Sequence, residues 1–155
     1  MKLSKDLREF VALLNAKGVR FVLVGGHALA YHGYPRYTGD VDFFVEISPA
    51  NALALERVLR EFGFGELGIS RDDFLQPETI IQLGRPPNRI DLMTSISGVS
   101  FAEAWDTQVH AEIDGLPLGI ISKGLLVRNK RASNRAKDVA DLAELLGEEA
   151  PEQGE

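Results

Sequence analysis

Apolar residues recur at the spacing of one helical face in three segments of the chain. Serines that are typical helix starts, Ser4 and the Ser48-Pro49 pair, precede the first two segments, and a glycine follows each of the three. The sequence therefore predicts three amphipathic helices, the last of which runs to about Leu146. Their apolar faces are Leu7, Phe10, Val11 and Leu14; Leu55, Val58, Leu59 and Phe62; and Val139, Leu142, Ala143 and Leu146.

Short runs of apolar and β-branched residues between these segments are typical of strands. The runs cover residues 19–24, 40–47, 79–84 and 89–96, and residues 110–122 favour a hairpin that turns at Asp114-Gly115. Residues 27–32 and 101–107 favour short helices, whereas residues 63–78 indicate no clear element. We therefore expect one α/β (α+β) domain over residues 1–146, in which helices flank a small, mixed, twisted sheet.

Composition and charge narrow the class of protein. The chain has 155 residues, of which 45% are hydrophobic, and it has no cysteine, which excludes disulfides and thiolate metal sites. No apolar run is long enough for a membrane span and the amino terminus has no apolar signal core, so we expect a cytoplasmic protein with no membrane contact. Residues 147–155 are acidic, and we expect them to form a disordered tail.

The net charge of -6 is unevenly distributed. Without the acidic tail, 19 acidic and 17 basic residues remain, and the segment from Lys123 to Lys137 holds six bases and no acid. A small basic patch of this kind favours a phosphate site, because an extended nucleic-acid footprint usually requires a basic domain overall.

Asp40 and Asp42 stand out because they interrupt an apolar strand. Side chains alternate along a strand, so both carboxylates point to the same face, where they repel each other and lose solvation. A bound cation would offset this cost, and Mg²⁺ prefers such oxygen ligands. The simpler alternative is that the two residues are solvated at the strand end or cap a turn.

Asp91 lies in a second apolar strand, within RIDLM. A neighbouring strand would bring it beside Asp40 and Asp42, and three carboxylates on adjacent strands can hold one or two divalent ions for phosphoryl transfer. Asp91 is also a candidate general base for an attacking hydroxyl. Alternatively, it forms a salt bridge with Arg89 or Arg85.

Gly25 and Gly26 follow the first predicted strand directly. Glycines allow a sharp turn and a close approach of the backbone to a ligand, and the N–H groups of the following helix favour phosphate. The pattern G-x-x-x-x-G-K-[ST] is absent, so this common phosphate-binding motif is excluded. The alternative is a tight turn with no ligand.

Taken together, these motifs resemble the nucleotidyltransferase superfamily. The resemblance lies in a strand ending in Gly-Gly, an Asp-x-Asp strand that begins after thirteen further residues, a later strand with Asp91, and the terminal NKRASNRAKDVADLAELL. It covers residues 19–146 and is closest to small stand-alone members, including minimal nucleotidyltransferases and the abortive-infection or toxin–antitoxin type. His27 departs from the pattern, because many members have a serine in this turn.

The resemblance implies the nucleotidyltransferase fold and transfer of a nucleoside monophosphate from a nucleoside triphosphate, with ATP expected, using Mg²⁺ or Mn²⁺. By position, Gly25 and Gly26 would hold the triphosphate, Asp40 and Asp42 would bind metal, and Asp91 would complete the metal site and activate the acceptor. The acceptor is open between a protein side chain, a transfer RNA and a small molecule.

Five further residues are candidates for contact with the nucleotide: Arg36, Thr38, Lys130, Arg135 and Lys137. Each also has a structural explanation, such as a surface ion pair or a solvated helix face. Two other functions stay open at this point. One is a non-catalytic antitoxin or regulatory module that binds a toxin, an antitoxin or another partner chain, and the other is a metal-dependent phosphohydrolase.

Overall fold

The computed structural model describes residues 3–34 and 39–147. Its elements, in chain order, are α1 (Lys5–Ala16), β1 (Phe21–Val24), α2 (Gly25–Tyr31), β2 (Asp40–Val45), α3 (Pro49–Glu61), a 3₁₀ turn (Arg71–Leu75), β3 (Ile80–Leu83), β4 (Arg89–Met93), α4 (Phe101–Thr107), β5 (Val109–Ile113), β6 (Leu116–Ile120), α5 (Lys123–Ser133) and α6 (Ala136–Leu145). None of these helices is long and apolar enough to cross a membrane.

Six strands form one mixed sheet in the order β3-β4-β2-β1-β6-β5. The central strand β2 runs antiparallel to β1 and parallel to β4, while β6 runs parallel to β1. The predicted hairpin is confirmed, because β5 and β6 pair antiparallel and its turn residues Asp114 and Gly115 have φ of 52° and 84°. The prediction of a mixed α/β fold is therefore confirmed.

Helices cover both faces of the sheet. Phe43 and Phe44 are neighbours on β2, so their side chains point to opposite faces. Phe43 packs against Phe10 of α1, with ring centroids 6.1 Å apart, and Phe44 packs against Phe101 of α4 at 5.2 Å. The even-numbered residues of β2, including both aspartates, share the face of Phe44, on the side of α4.

The helix starts predicted from serine residues are confirmed. Ser4 accepts a hydrogen bond from the Leu7 amide at 3.2 Å, and Ser48 accepts one from the Asn51 amide at 3.1 Å. These bonds satisfy amide groups that the first turn of a helix leaves without partners. The predicted apolar face of α1 is buried along its whole length.

The carboxyl-terminal segment differs from the prediction in two ways. Two helices, α5 and α6, meet at Asn134, whose φ of 53° is left-handed and ends α5. The expected apolar face of α6 is wrong, because Val139 and Leu146 are 50% and 40% exposed whereas Asp138 and Asp141 are buried. The helix is held by ion pairs to Lys130 that apolar spacing does not reveal. All but the first residue of the predicted tail, 147–155, lies outside the described residues.

Candidate active site

Three aspartates meet where β2 and β4 run side by side. The parallel register places Asp42 opposite Asp91 and Asp40 opposite Arg89. One carboxylate oxygen from each of Asp40, Asp42 and Asp91 lies within 4.8 Å of the other two. Asp91 is 3% exposed and forms the floor of this cluster. The predicted convergence of the three residues is thus observed, and the arrangement can hold a divalent cation.

Arg89 joins the cluster because it lies two residues before Asp91 on the same face of β4. Its Nε donates to Asp91 Oδ1 at 2.9 Å and its Nη2 donates to Asp91 Oδ2 at 3.0 Å. The same Nη2 lies 2.6 Å from Asp40 Oδ2. Of the two salt-bridge partners considered for Asp91, the structure selects Arg89.

Gly25 brings the backbone against Asp42. Val24 is the register partner of Asp42, so the chain turns into α2 directly beside that carboxylate. Gly25 has a φ of 71°, and a Cβ built on it would collide with the Asp42 carboxylate, lying 3.0 Å from its Cγ. A residue with a side chain is therefore disfavoured here both by its backbone conformation and by the available space.

Burial disfavours the charged forms of Asp42 and Asp91. Desolvation, with the charges of Asp40 and then Asp91, raises the pKa of Asp42 to about 7, while Lys137 opposes the shift. Asp42 Oδ1 is buried with no hydrogen-bond partner among the described residues. Burial also raises the pKa of Asp91 against the opposing influence of Arg89. Such a cluster of costly, buried carboxylates is typical of functional sites.

His27 lies beside the cluster at the start of α2. Desolvation lowers the pKa of His27, and Asp40 opposes that shift through its charge and a backbone hydrogen bond. The Nδ1 atom of His27 is buried and has no hydrogen-bond partner among the described residues. His32, by contrast, has a partner, because its Nε2 lies 2.8 Å from the carbonyl oxygen of Ile121.

A cleft of about 430 Å³ opens in front of the aspartates. Its first wall consists of Gly25, Gly26, Asp40 and Asp42, and its second consists of Lys130, Ser133, Arg135 and Lys137. The remainder is lined by Val24, Glu78, Ile80, Met93, Ser95, Ile96, Ser97 and Asn129. An acidic wall and a basic wall thus border one space that is large enough for a small ligand.

A known protein family matches most of the chain. The family described as "Nucleotidyl transferase of unknown function (DUF2204)" matches residues 3–152. The chain belongs to this family. Its membership implies nucleotidyl transfer in general and a nucleoside triphosphate as a substrate. No curated protein matches the chain in sequence.

Solved structures show that this nucleotidyl transferase family member has the nucleotidyltransferase fold. TM1012 from Thermotoga maritima, described as a candidate nucleotidyltransferase, is 18% identical with a TM-score of 0.59, over 91% of this chain and 90% of that one. ANT(2″)-Ia in complex with adenylyl-2″-tobramycin is 12% identical with a TM-score of 0.56, over 91% and 86%. An antigenic nucleotidyltransferase-like protein from Paracoccidioides brasiliensis is 16% identical with a TM-score of 0.57, over 95% and 78%.

The predicted basic residues of this family member occupy different environments. Lys137 is exposed at the cleft, and Arg135 lines it while donating from Nε to Asp138 at 2.8 Å. Lys130 is buried, with its Nζ 3.3 Å from Asp138 Oδ1 and 2.9 Å from Asp141 Oδ2. Lys130 therefore has two carboxylate partners within the protein. Arg36 and Thr38 lie outside the described residues.

Asp138 forms ion pairs with two residues of the basic wall, Lys130 and Arg135. Burial alone would raise its pKa, but hydrogen bonds from Arg135 and Ser133 and the charge of Lys130 hold the pKa of Asp138 below its usual range. Asp138 accepts hydrogen bonds from Arg135 and Lys130, which connects α5 to the first turn of α6.

Two parts of the site are not among the residues predicted from the sequence. Arg89 was considered only as a structural partner, although its spacing from Asp91 already places both side chains on one face. The wall formed by Ser95, Ser97 and Asn129 follows from tertiary packing, in which Asn129 Nδ2 donates to the carbonyl oxygen of Ser97 at 2.9 Å. No local pattern marks those residues.

Proposed function

We propose that the protein transfers a nucleoside monophosphate from a nucleoside triphosphate, with ATP as the expected donor, to a hydroxyl group of an acceptor. The observation that carries this proposal is the meeting of Asp40, Asp42 and Asp91 within 4.8 Å, directly beside the Gly25 turn. Clustered carboxylates repel one another, and a divalent cation bound between them would offset that repulsion.

The cluster fits a divalent cation, Mg²⁺ or Mn²⁺. Its donors are all carboxylate oxygens, which these ions prefer, and the buried Asp42 Oδ1 lacks a protein hydrogen-bond partner among the described residues. Asp40, Asp42 and Asp91 would hold the ion. When bound, it would neutralise phosphate charge and stabilise the charge that develops during transfer.

The two walls supply the contacts to the triphosphate. Gly25 and Gly26 allow the backbone to approach phosphate oxygens closely, because neither carries a side chain. Arg135 and Lys137 face them from the second wall and would attract the negative charge of the triphosphate. Lys130 acts through its ion pairs, which hold α6 in place and thereby position Arg135 and Lys137.

Asp91 is proposed to accept the proton of the acceptor hydroxyl. Burial raises the pKa of Asp91 and thereby its basicity. If it acts as the base, Asp91→Asn should leave nucleotide binding intact and lower transfer by about 10²–10⁴-fold. If it acts only as a metal ligand, binding and transfer should fall together.

The identity of the acceptor is tested by labelling. The protein is incubated with each α-labelled nucleoside triphosphate and Mg²⁺, alone and with cell extract, transfer RNA or hydroxyl-rich small molecules. The complex of ANT(2″)-Ia with adenylyl-2″-tobramycin supports including aminoglycosides in the last set. Label that depends on Asp42 supports the proposal, and no label with any triphosphate or acceptor would contradict it.

A second candidate function is a non-catalytic module that binds a partner chain. It is favoured by Arg89, which already balances charge on Asp40 and Asp91 without a metal ion, and by the exposed Val139 and Leu146 on α6. Under this alternative, the protein labels nothing but co-purifies with a partner, and Val139→Ser with Leu146→Ser releases that partner.

A further inference from the structure

We propose that Arg89 competes with the divalent cation for the aspartates. In the cation-free protein it holds the cluster together, and it is displaced when metal and nucleotide bind together. This inference rests on the proposed function, because it concerns the same cleft. Its consequence is that the free protein binds metal weakly and that the triphosphate is needed to complete the exchange.

The guanidinium group of Arg89 binds carboxylate oxygens that a divalent cation would otherwise bind. Its Nε and Nη2 bind both oxygens of Asp91, at 2.9 and 3.0 Å, and Nη2 also lies 2.6 Å from Asp40 Oδ2. Asp42 differs from the other two aspartates, because its Oδ1 has no hydrogen-bond partner in the described part of the chain. Arg89 therefore compensates two of the three carboxylates and leaves the third for another ligand.

Charge makes simultaneous binding unfavourable. A dication held by Asp40, Asp42 and Asp91 would lie within a few ångströms of the Arg89 guanidinium, since both bind oxygens of the same carboxylates. Like charges at such a distance repel strongly in a partly buried site, where water screens them little. Binding of one cation therefore weakens the hold of the other.

Arg89 has space to withdraw. Its side chain is 29% exposed, and it lines a second cavity of about 160 Å³ that also borders Asp40. That cavity is lined by His27, Pro87 and Asn88 as well as by Arg89. The guanidinium can move into it by rotation of its own side chain, so β4 and the Asp91 backbone need not shift.

The test is a titration of the whole protein with Mn²⁺ alone, followed by electron paramagnetic resonance and calorimetry. Arg89→Gln should bind Mn²⁺ more tightly than the parent by about tenfold, within the usual range for coupling between two binding events. Arg85→Gln is the matched control, because it removes the same charge from an exposed position four residues away. It should bind Mn²⁺ as the parent does.

The results of this titration distinguish an Arg89 that is displaced by metal from one that is a fixed support. Equal or weaker Mn²⁺ binding by Arg89→Gln, relative to Arg85→Gln, would overturn the proposal and make Arg89 a fixed support. If Arg89→Gln does not fold, Arg89→Lys decides in the same way, because lysine keeps the charge but cannot bind both Asp91 oxygens at once. Tighter binding by that variant than by the parent is again the expected result.

A direct readout uses the parent protein. The Nε–H signal of Arg89 in a nitrogen-15 spectrum is assigned by its absence from Arg89→Lys. On addition of MgCl₂ with a non-hydrolysable ATP analogue, the signal should shift and exchange faster with water, and an unchanged signal would contradict displacement. If labelling fails but Arg89→Gln binds Mn²⁺ more tightly, the proposed transfer activity is wrong and the competition stands.

Discussion

The acidic and basic walls of the cleft are held in place by different interactions. The acidic wall depends on backbone pairing, because the register of β2 with β4 alone places Asp42 opposite Asp91. The basic wall depends on side chains, because Lys130 joins α5 to Asp138 and Asp141 of α6 through buried ion pairs. Changes to the aspartates of the first wall should therefore remove chemistry and spare the fold, whereas changes to the ion pairs of the second should weaken both.

The largest expected effect comes from the acidic wall. Asp42→Asn should lower nucleotidyl transfer by about 10³-fold, since it removes a ligand from a metal site worth several kcal/mol. The variant should fold at least as well as the parent, because a source of repulsion is gone. Labelling and thermal unfolding measure the two properties. Asp72→Asn, an exposed change of the same kind, is the control, and equal activity of both variants would refute the difference between the walls.

The next effect concerns the basic wall. Lys130→Met should reduce the free energy of unfolding by about 3–5 kcal/mol, because it removes the buried ammonium group that lies against both Asp138 and Asp141. Nucleotide affinity should fall as well, since Arg135 and Lys137 lose their fixed position. Urea unfolding and calorimetry with a non-hydrolysable ATP analogue measure both. The neighbouring exposed Arg131→Met is the control. A loss of stability no larger than in that control would show that the ion pairs are not what holds α6.

A smaller effect is expected at the glycine turn, where substitution of Gly25 tests whether the turn contributes to nucleotide binding. Gly18 and Gly25 share a φ of 71°, but an added Cβ meets nothing within 4 Å at Gly18 and collides with Asp42 at Gly25. Gly18→Ala should therefore cost only the backbone strain, about 1–2 kcal/mol. Gly25→Ala should cost more and should also weaken metal-dependent nucleotide binding. If both variants lose equal stability and bind nucleotide equally, Gly25 is only a turn residue.

A further expected effect is a pH dependence of stability in the metal-free protein. The pKa of Asp42 is raised to about 7 from an ordinary 3.8, so the folded state holds a proton that the unfolded state releases between these values. The free energy of unfolding should consequently fall as pH rises from 4 to 7 and then level off. One proton gives a slope of at most ~1.4 kcal/mol per pH unit. Asp42→Asn should lack this component, and identical pH profiles for the two proteins would contradict the burial of the charge.

The sequence predicted the acidic wall well because its information is local. Alternation along β2 places Asp40 and Asp42 on one face, and an apolar strand around Asp91 indicates a buried neighbour. The pairing of β2 with β4 required the family resemblance, since no local rule selects which strands are neighbours. The same alternation should have placed Arg89 in the site together with Asp91.

The basic wall was predicted only in part. Apolar spacing predicted a helix near the carboxyl terminus but not its break at Asn134, a residue type that tolerates the left-handed conformation found there. It also assigned the wrong buried face, because Asp138 and Asp141 are buried by pairing with Lys130 and Val139 is exposed. Ion pairs between two helices depend on tertiary packing, so spacing within one helix cannot reveal them.

The most direct test of the central claim is metal binding in the presence of nucleotide. Mn²⁺ is titrated by calorimetry into the parent and into the double variant Asp40→Asn with Asp42→Asn, each saturated with a non-hydrolysable ATP analogue. We expect that the parent binds Mn²⁺ and that the folded double variant shows no binding beyond that of the free analogue. Equal binding of Mn²⁺ by both proteins would contradict it.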